Sequence, residues 1–376
     1  MPLRYAIIGS GMMGCEHIRN IALMKDAEVV AVADPNAAMA EAGVQTAERS
    51  GIGRPKCFTD HRDLLSANLA DAYVIAAPND THFEICRHVF ATNKPVLLEK
   101  PSATRSDHAW DLVRLAEQRS APVWVAMEYR YMPPVARMLE ALKSGQAGRP
   151  HMLSIVEHRF PFLDKVDNWN RFSARTGGTL VEKCCHFFDL MRLLTASEAT
   201  RIYATGAQSV NDIASSYDGK PADTLDNAMV VVDFENGMRA SLDLCMFAEG
   251  SYWQEQISVV GDAAKLEAKI PGPSRFWPGG AERASQFILS PRVQKAPVVE
   301  EIEQDPTILA AGDHHGSTFY QHQKFAEMIR SGGKPEVTII DGAMAVDMGI
   351  AAQRSIETGQ AQVLGYEAEP LAGALS

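Results

Sequence analysis

The sequence predicts an α/β protein in two parts: an amino-terminal parallel sheet wound with helices, then an α/β domain on a large, mostly antiparallel open sheet. Three observations carry this. The first third alternates short apolar runs with helical stretches, as right-handed βαβ crossovers require. The remainder sets strand after strand with hairpin signals between them. And the 376 residues exceed the roughly 250–300 that one core holds, so two domains are expected, 1–125 and 126–376.

Taken in order, Leu3 to Gly9 reads as a buried strand and Met13 to Lys25 as a helix. Glu28 to Asp34 is a second strand and Ala37 to Ser50 a second helix. Asp71 to Ala77 is a third strand, ending in the turn Pro78-Asn79-Asp80, with Asp80 or Thr81 capping a helix that runs to Thr92. Pro95 to Leu98 is a strand that exits at Glu99-Lys100-Pro101, followed by a helix from Ser106 to Arg119 and a strand from Pro122 to Met127. After a helix from Pro134 to Lys143, strands are expected at 151–160, 200–210, 226–234, 238–247 and 253–261, with Glu235-Asn236-Gly237 as a hairpin turn. Pro271 to Gly312, rich in proline, glycine and charge, reads as an inserted loop serving as a lid or an oligomer contact. His314 to Ser331 and Ile340 to Thr358 close the chain as helices.

Composition removes several function classes. With 36 basic against 47 acidic residues the net charge is −11, which repels nucleic acid and anionic membrane alike. The apolar run from Ala6 to Cys15 is punctuated by Gly9, Gly11 and Gly14, so it reads as strand and turn rather than a signal sequence. No run of eighteen apolar residues suggests a membrane span. The cysteines at 15, 57, 86, 184, 185 and 245 show neither a disulfide framework nor zinc spacing, and reduced thiols fit a cytoplasmic location. Cys184, Cys185 and His186 are adjacent, but neighbours on a helix diverge by about 100°, so no metal site is expected.

Gly9-Ser10-Gly11-Met12-Met13-Gly14 fits G-x-G-x-x-G and lies between a buried strand and a helix. The first glycine permits the tight turn, the second lets backbone amides approach a pyrophosphate, and the third lets helix and strand pack closely. Asp34 follows at the end of the second strand, placed to accept from the adenosine ribose hydroxyls and to repel a 2′-phosphate. This context predicts a dinucleotide-binding Rossmann domain that takes NAD in preference to NADP.

Two further constellations carry chemistry. Lys100 leaves the carboxyl edge of the sheet, where ligands bind in such folds, and a cationic nicotinamide nearby would lower its pKa. Downstream, Gly177-Gly178 opens a helix on which Glu182, His186 and Asp189 fall within about 60° of one another. The rest of that helix is apolar, so the ionisable stripe is expected to line a cavity, with a carboxylate tuning His186 as a general base.

The glycine loop, Glu99-Lys100-Pro101 and the Gly178…Glu182…His186…Asp189 stripe, in this order, resemble the Gfo/Idh/MocA dehydrogenases. The resemblance spans nearly the whole chain and extends to Pro78-Asn79-Asp80-Thr81-His82 and His315-Gly316-Ser317-Thr318. It implies a Rossmann domain followed by an α/β domain whose open sheet often serves oligomer contacts, hence a homodimer or homotetramer. It implies Lys100 as the catalytic lysine, His186 as the base, and Glu182 at the position of a substrate-contacting aspartate. It also implies cofactor contacts from Gly9, Gly11, Met12, Met13, Gly14, Asp34, Pro78, Asn79, His82, Glu99 and Lys100. Two departures stand out: Glu182 is one methylene longer than the usual aspartate, and Cys184 replaces a small residue.

The expected reaction is oxidation of a secondary hydroxyl on a sugar, sugar derivative or cyclitol. Lys100 and His186 share the substrate oxygen, in roles that can be exchanged. Tyr129, Arg130, Trp169, Asn170, Arg171, His315 and Tyr320 are candidates to shape the polyol pocket beside Glu182 and His186, whereas Arg159 reads as scaffold pointing outward. Two other readings remain: an enzyme that retains NAD while transiently oxidising a glycoside, and a dinucleotide or sugar sensor. No G-x-S-x-G elbow supports hydrolysis.

Overall fold

A computed structural model describes residues 1–280, 283–293 and 296–365. The first layer is β1 (Leu3–Ile8), α1 (Met12–Ala22), β2 (Ala27–Ala33), α2 (Ala37–Arg49), β3 (Lys56–Phe58), α3 (His61–Ser66), β4 (Ala72–Ile75), α4 (His82–Phe90), β5 (Val96–Leu98), α5 (Ser106–Glu117) and β6 (Val123–Val125). The six strands form an all-parallel sheet in the order β3-β2-β1-β4-β5-β6. Helices cover both faces, so β1, β4, β5 and β6 are buried almost throughout and read as continuous apolar runs. The β3–α3 pair was not expected. Lys56–Phe58 is a three-residue edge strand, two of its residues exposed, too short for a period to show.

The second layer begins with α6 (Pro133–Lys143) and β7 (Pro150–His158), then three short helices, α7 (Ser173–Thr176), α8 (Thr179–Glu182) and α9 (Cys185–Thr195). Next come β8 (Ala199–Ala207), the small hairpin β9 (Ser216–Tyr217) and β10 (Lys220–Pro221), β11 (Asn227–Phe234), β12 (Arg239–Cys245), β13 (Glu255–Gly261), β14 (Ala264–Ile270), β15 (Ser285–Pro291), β16 (Val298–Ile302), α10 (Pro306–Leu309), α11 (Ser317–Ser331), α12 (Ile339–Thr358) and β17 (Gln362–Val363). Nine strands make one sheet, β16-β15-β14-β13-β7-β12-β11-β8-β17, antiparallel except where β7 and β12 run parallel.

The sheet corrects the reading of 271–312 as a loop. Its described part supplies β15 and β16, which extend the sheet edge by regular antiparallel pairing. Val298–Ile302 has no buried residue, so no alternation of burial marked it. β14, also unforeseen, alternates strictly between buried and half-buried residues and was legible. The inner face of the sheet packs on α9 and α12, and α12 also reaches α5, tying the two layers together. The outer face is open, exposing Met152, Tyr203, Met229 and Val231. Among the described residues no helix is long and apolar enough to cross a membrane.

Candidate active site

The glycine loop joins β1 to α1. Gly9 has φ +89°, and a Cβ there would lie 2.6 Å from the backbone of Ala76 and Ala77, so only glycine fits between the two strands. A Cβ on Gly14 would collide with the Gly9 carbonyl, whereas Gly11 faces open space. No side chain caps the first turn of α1 and no acid lies within it, leaving its amides free for an anion. Met12 is exposed and Met13 half-buried on that turn. Asp34 accepts from the backbone amides of Ser10 (3.0 Å) and Asn36 (2.9 Å), which fixes its carboxylate beside the loop with lone pairs left for a ribose. These residues fit NAD.

The carboxyl ends of β4 and β5 supply the next groups. Past β4, Pro78 leads a short turn over Asn79–Thr81. His82 is fully buried between the carbonyls of Pro101 (2.8 Å) and Ala77 (3.0 Å), a strut between two loops rather than the cofactor contact expected. Glu99 faces inward too: its carboxylate is 2.9 Å from His17 Nε2, and His17 Nδ1 is 2.8 Å from His322 Nε2. Lys100, joined to Pro101 by a cis peptide bond, donates from Nζ to the Glu182 carbonyl at 3.2 Å. Burial works against the Lys100 ammonium, but Glu182, Cys185, Glu99 and Glu128 outweigh it and raise the pKa. Among these groups Lys100 is an ammonium at neutral pH.

The stripe is not continuous. Gly177 and Gly178 (φ +84° and +85°) bring the chain against Gln353, whose amide donates to the Gly177 carbonyl at 2.8 Å. One helical turn, α8, ends at Glu182, and α9 starts afresh at Cys185. The break sends the three ionisable groups to different partners. Glu182 accepts from the Asn79 amide and from Lys165 Nζ at 3.2 Å. Burial opposes its ionisation, yet Lys165, Lys100 and Asn79 hold its carboxyl down at about 2. Asp189 is gripped by both arms of Arg130, which also donates to the Glu336 carbonyl at 2.9 Å. Arg130 is thus a bidentate brace and not a free pocket donor.

The carboxylate facing His186 is one the sequence did not single out. Glu128, just past β6, places Oε1 3.6 Å from His186 Nε2, and both side chains are buried. The imidazole lies flat on Tyr129, ring centroids 4.1 Å apart and 6° from parallel. Lys183 donates to the Tyr129 hydroxyl and sits 2.8 Å from Glu157 Oε1. Glu157 pairs across the sheet with Glu255, and Arg159, mostly buried rather than outward, reaches Glu157 at 3.8 Å. Burial, then Lys100, Lys183, His314 and Arg159, push the His186 pKa well down, so its imidazole is neutral.

Of the other pocket candidates, Trp169 is capped by Lys165 at 4.4 Å from its ring. Asn170 donates to the Leu163 carbonyl at 3.0 Å, and Arg171 pairs with Asp164 (2.7 Å) and Asp212 (3.0 Å), so both brace their loop. His314, next to the candidate His315, lies 6.3 Å from the Tyr129 ring, with Nδ1 2.8 Å from Glu16. Burial opposes its charge, but Glu16 raises its pKa to about 9. For His315, burial and then His314 lower the pKa to about 4. Tyr320 packs edge-on against Phe319. One sign could have found Glu128: it is the lone acid in the otherwise apolar run from Val123 to Tyr129. Among the described residues no group of three or more His, Cys, Asp or Glu could hold a metal ion.

Two family models match the chain: an oxidoreductase family with an NAD-binding Rossmann fold over residues 3–127, and the C-terminal alpha/beta domain of the same family over 139–364. The chain belongs to the Gfo/Idh/MocA oxidoreductases. It is an enzyme of that family, and its cofactor is NAD. The rhizopine catabolism protein MocA of Rhizobium meliloti is 28% identical over 284 residues, covering 74% of this chain and 80% of that one. The myo-inositol 2-dehydrogenase of Thermotoga maritima is 23% identical over 360 residues, covering 94% and 96%. A levoglucosan dehydrogenase solved with NADH superposes with a TM-score of 0.79 at 19% identity, covering 97% of this chain and 100% of that one, which shows the shared fold.

Proposed function

We propose that this oxidoreductase oxidises a secondary hydroxyl of a sugar, sugar derivative or cyclitol to a ketone, reversibly and with NAD. The observation that carries the proposal is geometric: Lys100, just past β5, donates to the Glu182 carbonyl at 3.2 Å, and His186 Nε2 lies 3.6 Å from Glu128, just past β6, so both groups gather at the carboxyl edge of the NAD-binding sheet. Relatives named as acting on myo-inositol and on levoglucosan support the substrate class.

When bound, NAD supplies the acceptor for the hydride that leaves the substrate carbon. Gly9, Gly11, Met12, Met13, Gly14 and Asp34 would hold it, with Pro78, Asn79 and Glu99 bordering its nicotinamide end. The neutral Nε2 of His186 is the general base that takes the hydroxyl proton. The Lys100 ammonium holds the same oxygen and stabilises the negative charge that develops on it. Of the two exchangeable assignments, a charged lysine beside an uncharged imidazole favours this one. Glu182, kept ionised by Lys165 and Asn79, accepts from a neighbouring substrate hydroxyl. Tyr129 fixes the plane of the imidazole. The open outer face of the nine-stranded sheet suits a homodimer or homotetramer.

The test is a panel of inositols and sugars, each with NAD and with NADP, read by the absorbance of the reduced cofactor. One polyol giving an NAD-dependent signal is the expected result. Silence across the panel, in protein that binds NAD, would overturn simple dehydrogenation.

A further inference from the structure

Glu128 lies in the short turn Glu128–Tyr131 that leaves β6, and 1% of its surface is exposed. Neither carboxylate oxygen has a side-chain hydrogen-bond partner, and the backbone donor beside the carboxylate is Glu128's own amide. A buried carboxylate with no side-chain donor is costly and calls for a reason. The nearest hydrogen-bonding group is His186, whose Nε2 lies 3.6 Å from Oε1 and becomes a donor once protonated, and whose Nδ1 has no partner. The Tyr129 ring sets the plane of the imidazole and Lys183 anchors that ring, so the Nε2 edge faces Glu128 by construction. The other charged groups around Glu128 are Glu99 and Lys100 past β5 and His314 ahead of α11. Glu99 engages His17 and His314 engages Glu16, which leaves His186 as the imidazole edge facing Glu128.

We propose that Glu128 is a second proton-carrying group of the reaction centre, taking from His186 the proton that the substrate hydroxyl releases. The inference rests on His186 being the base, as argued above. The substrate O–H bond breaks as its proton binds His186 Nε2, while the electron pair of the carbinol C–H bond leaves with the hydride to NAD. The imidazolium N–H bond then breaks as an O–H bond forms on Glu128 Oε1. His186 returns to neutral, Glu128 becomes a neutral carboxylic acid, and its proton passes to water when product leaves. The gap of 3.6 Å closes as the imidazolium forms, because the two groups are then oppositely charged. Basicity runs the same way. Burial and then Glu99 push the Glu128 carboxyl up to about 7, while burial and four cations push the imidazole well down. A proton arriving on His186 therefore has a better acceptor beside it.

The experiment uses full-length protein labelled at histidine Cε1, with the His186 signal assigned by its loss in His186→Asn. In NAD-free wild type, that signal should shift with an inflection near pH 7 as Glu128 ionises. Glu128→Gln should remove the inflection, Glu128→Asp should retain it, and NAD affinity should stay within about threefold for both. With the polyol that yields NADH in the panel, Glu128→Gln should lower kcat on the order of 100-fold with little change in KM, and abolish the acidic limb of the kcat profile. His186 titration curves that superimpose in wild type and Glu128→Gln would overturn the proposal, as would an unchanged pH profile. If instead His186→Asn kept near-normal turnover, the assignment of the base would fail, while the His186–Glu128 coupling would still be readable in the NMR titration.

Discussion

Replacing Lys183 by methionine isolates the charge balance beneath the reaction centre. Lys183 is 4% exposed and is flanked by Glu157 at 2.8 Å, with Glu255 directly across the strand pair from Glu157. Methionine keeps the stem and removes the charge. It leaves two buried carboxylates with Arg159, 3.8 Å from Glu157, as the nearest cation, and it frees the Tyr129 hydroxyl. Breaking a buried pair from one side costs about 3–5 kcal/mol. In a domain of this size each kcal/mol moves the melting temperature by about 2–4 °C, so the expected fall is on the order of 10 °C. The loss should also depend on pH. Burial, then Glu157, raise the Glu255 carboxyl to about 7. A carboxyl raised on folding stabilises the native state below its ordinary pKa, and that contribution is lost as pH rises through the folded value. Removing the opposing lysine raises Glu255 further, so the variant should lose more at pH 8 than at pH 5.5. Thermal denaturation at both pH values is the assay. Adding Glu157→Gln should restore much of the loss, since it removes the charge left unpaired. A fall under about 3 °C, or one equal at both pH values, would refute the electrostatic account.

Three other outcomes follow from the geometry. Lys100→Met should abolish NADH formation while leaving the NAD dissociation constant within about threefold, as titration calorimetry would show; near-normal turnover would remove Lys100 from the chemistry. Asp34→Ser should weaken NAD by about 10–100-fold and narrow its advantage over NADP, since hydrogen bonds to a charged acceptor are worth about 1.5–3 kcal/mol. His314→Gln tests the pair with Glu16: the histidine pKa is raised to about 9, so its stabilisation is full below pH 6.5 and is lost as pH rises through about 9. The shift corresponds to about 3 kcal/mol, so chemical denaturation should show that difference at pH 6 and little at pH 10.

How legible the site was depended on how local its parts are. Gly9, Gly14 and Asp34 lie within one βαβ unit, at the turn from β1 to α1 and just past β2, where their spacing put them. Lys100 emerges just past β5, as the strand end in the sequence indicated. The stripe failed because one helix was assumed through Lys183, whereas α8 ends at Glu182 and α9 starts afresh at Cys185. With the break, Asp189 turned to Arg130 and Glu182 to Asn79. Lys183–Glu157 and His314–Glu16 join segments far apart in sequence, and no periodicity encodes such pairs. The strand at 298–302 was hidden by exposure at the sheet edge, since a strand with little to bury shows little pattern, while the one at 285–291 buries only Ser285 and Phe287 and leaves the rest half-buried.

The partnering of carboxylates around Lys100 explains a division of labour that adjacency in sequence would not suggest. Glu182 lies one turn from His186 but is committed elsewhere: Lys165 and Asn79 take its oxygens, and its carbonyl takes the Lys100 ammonium. A carboxylate held that firmly in the ionised form is a poor proton acceptor and a good fixed anchor for a hydroxyl. Asp189 is neutralised by Arg130 and serves the packing of α9. Among the described acids, Glu128 is the one that faces His186 Nε2, has no side-chain donor on either oxygen and has its pKa raised into the range where enzymes move protons. The same surroundings that keep Lys100 charged thus keep His186 neutral, because an ammonium that stabilises an alkoxide also repels an imidazolium. A base so placed needs an outlet for the proton it accepts, and the unpaired carboxylate at its Nε2 edge is the group positioned to provide one.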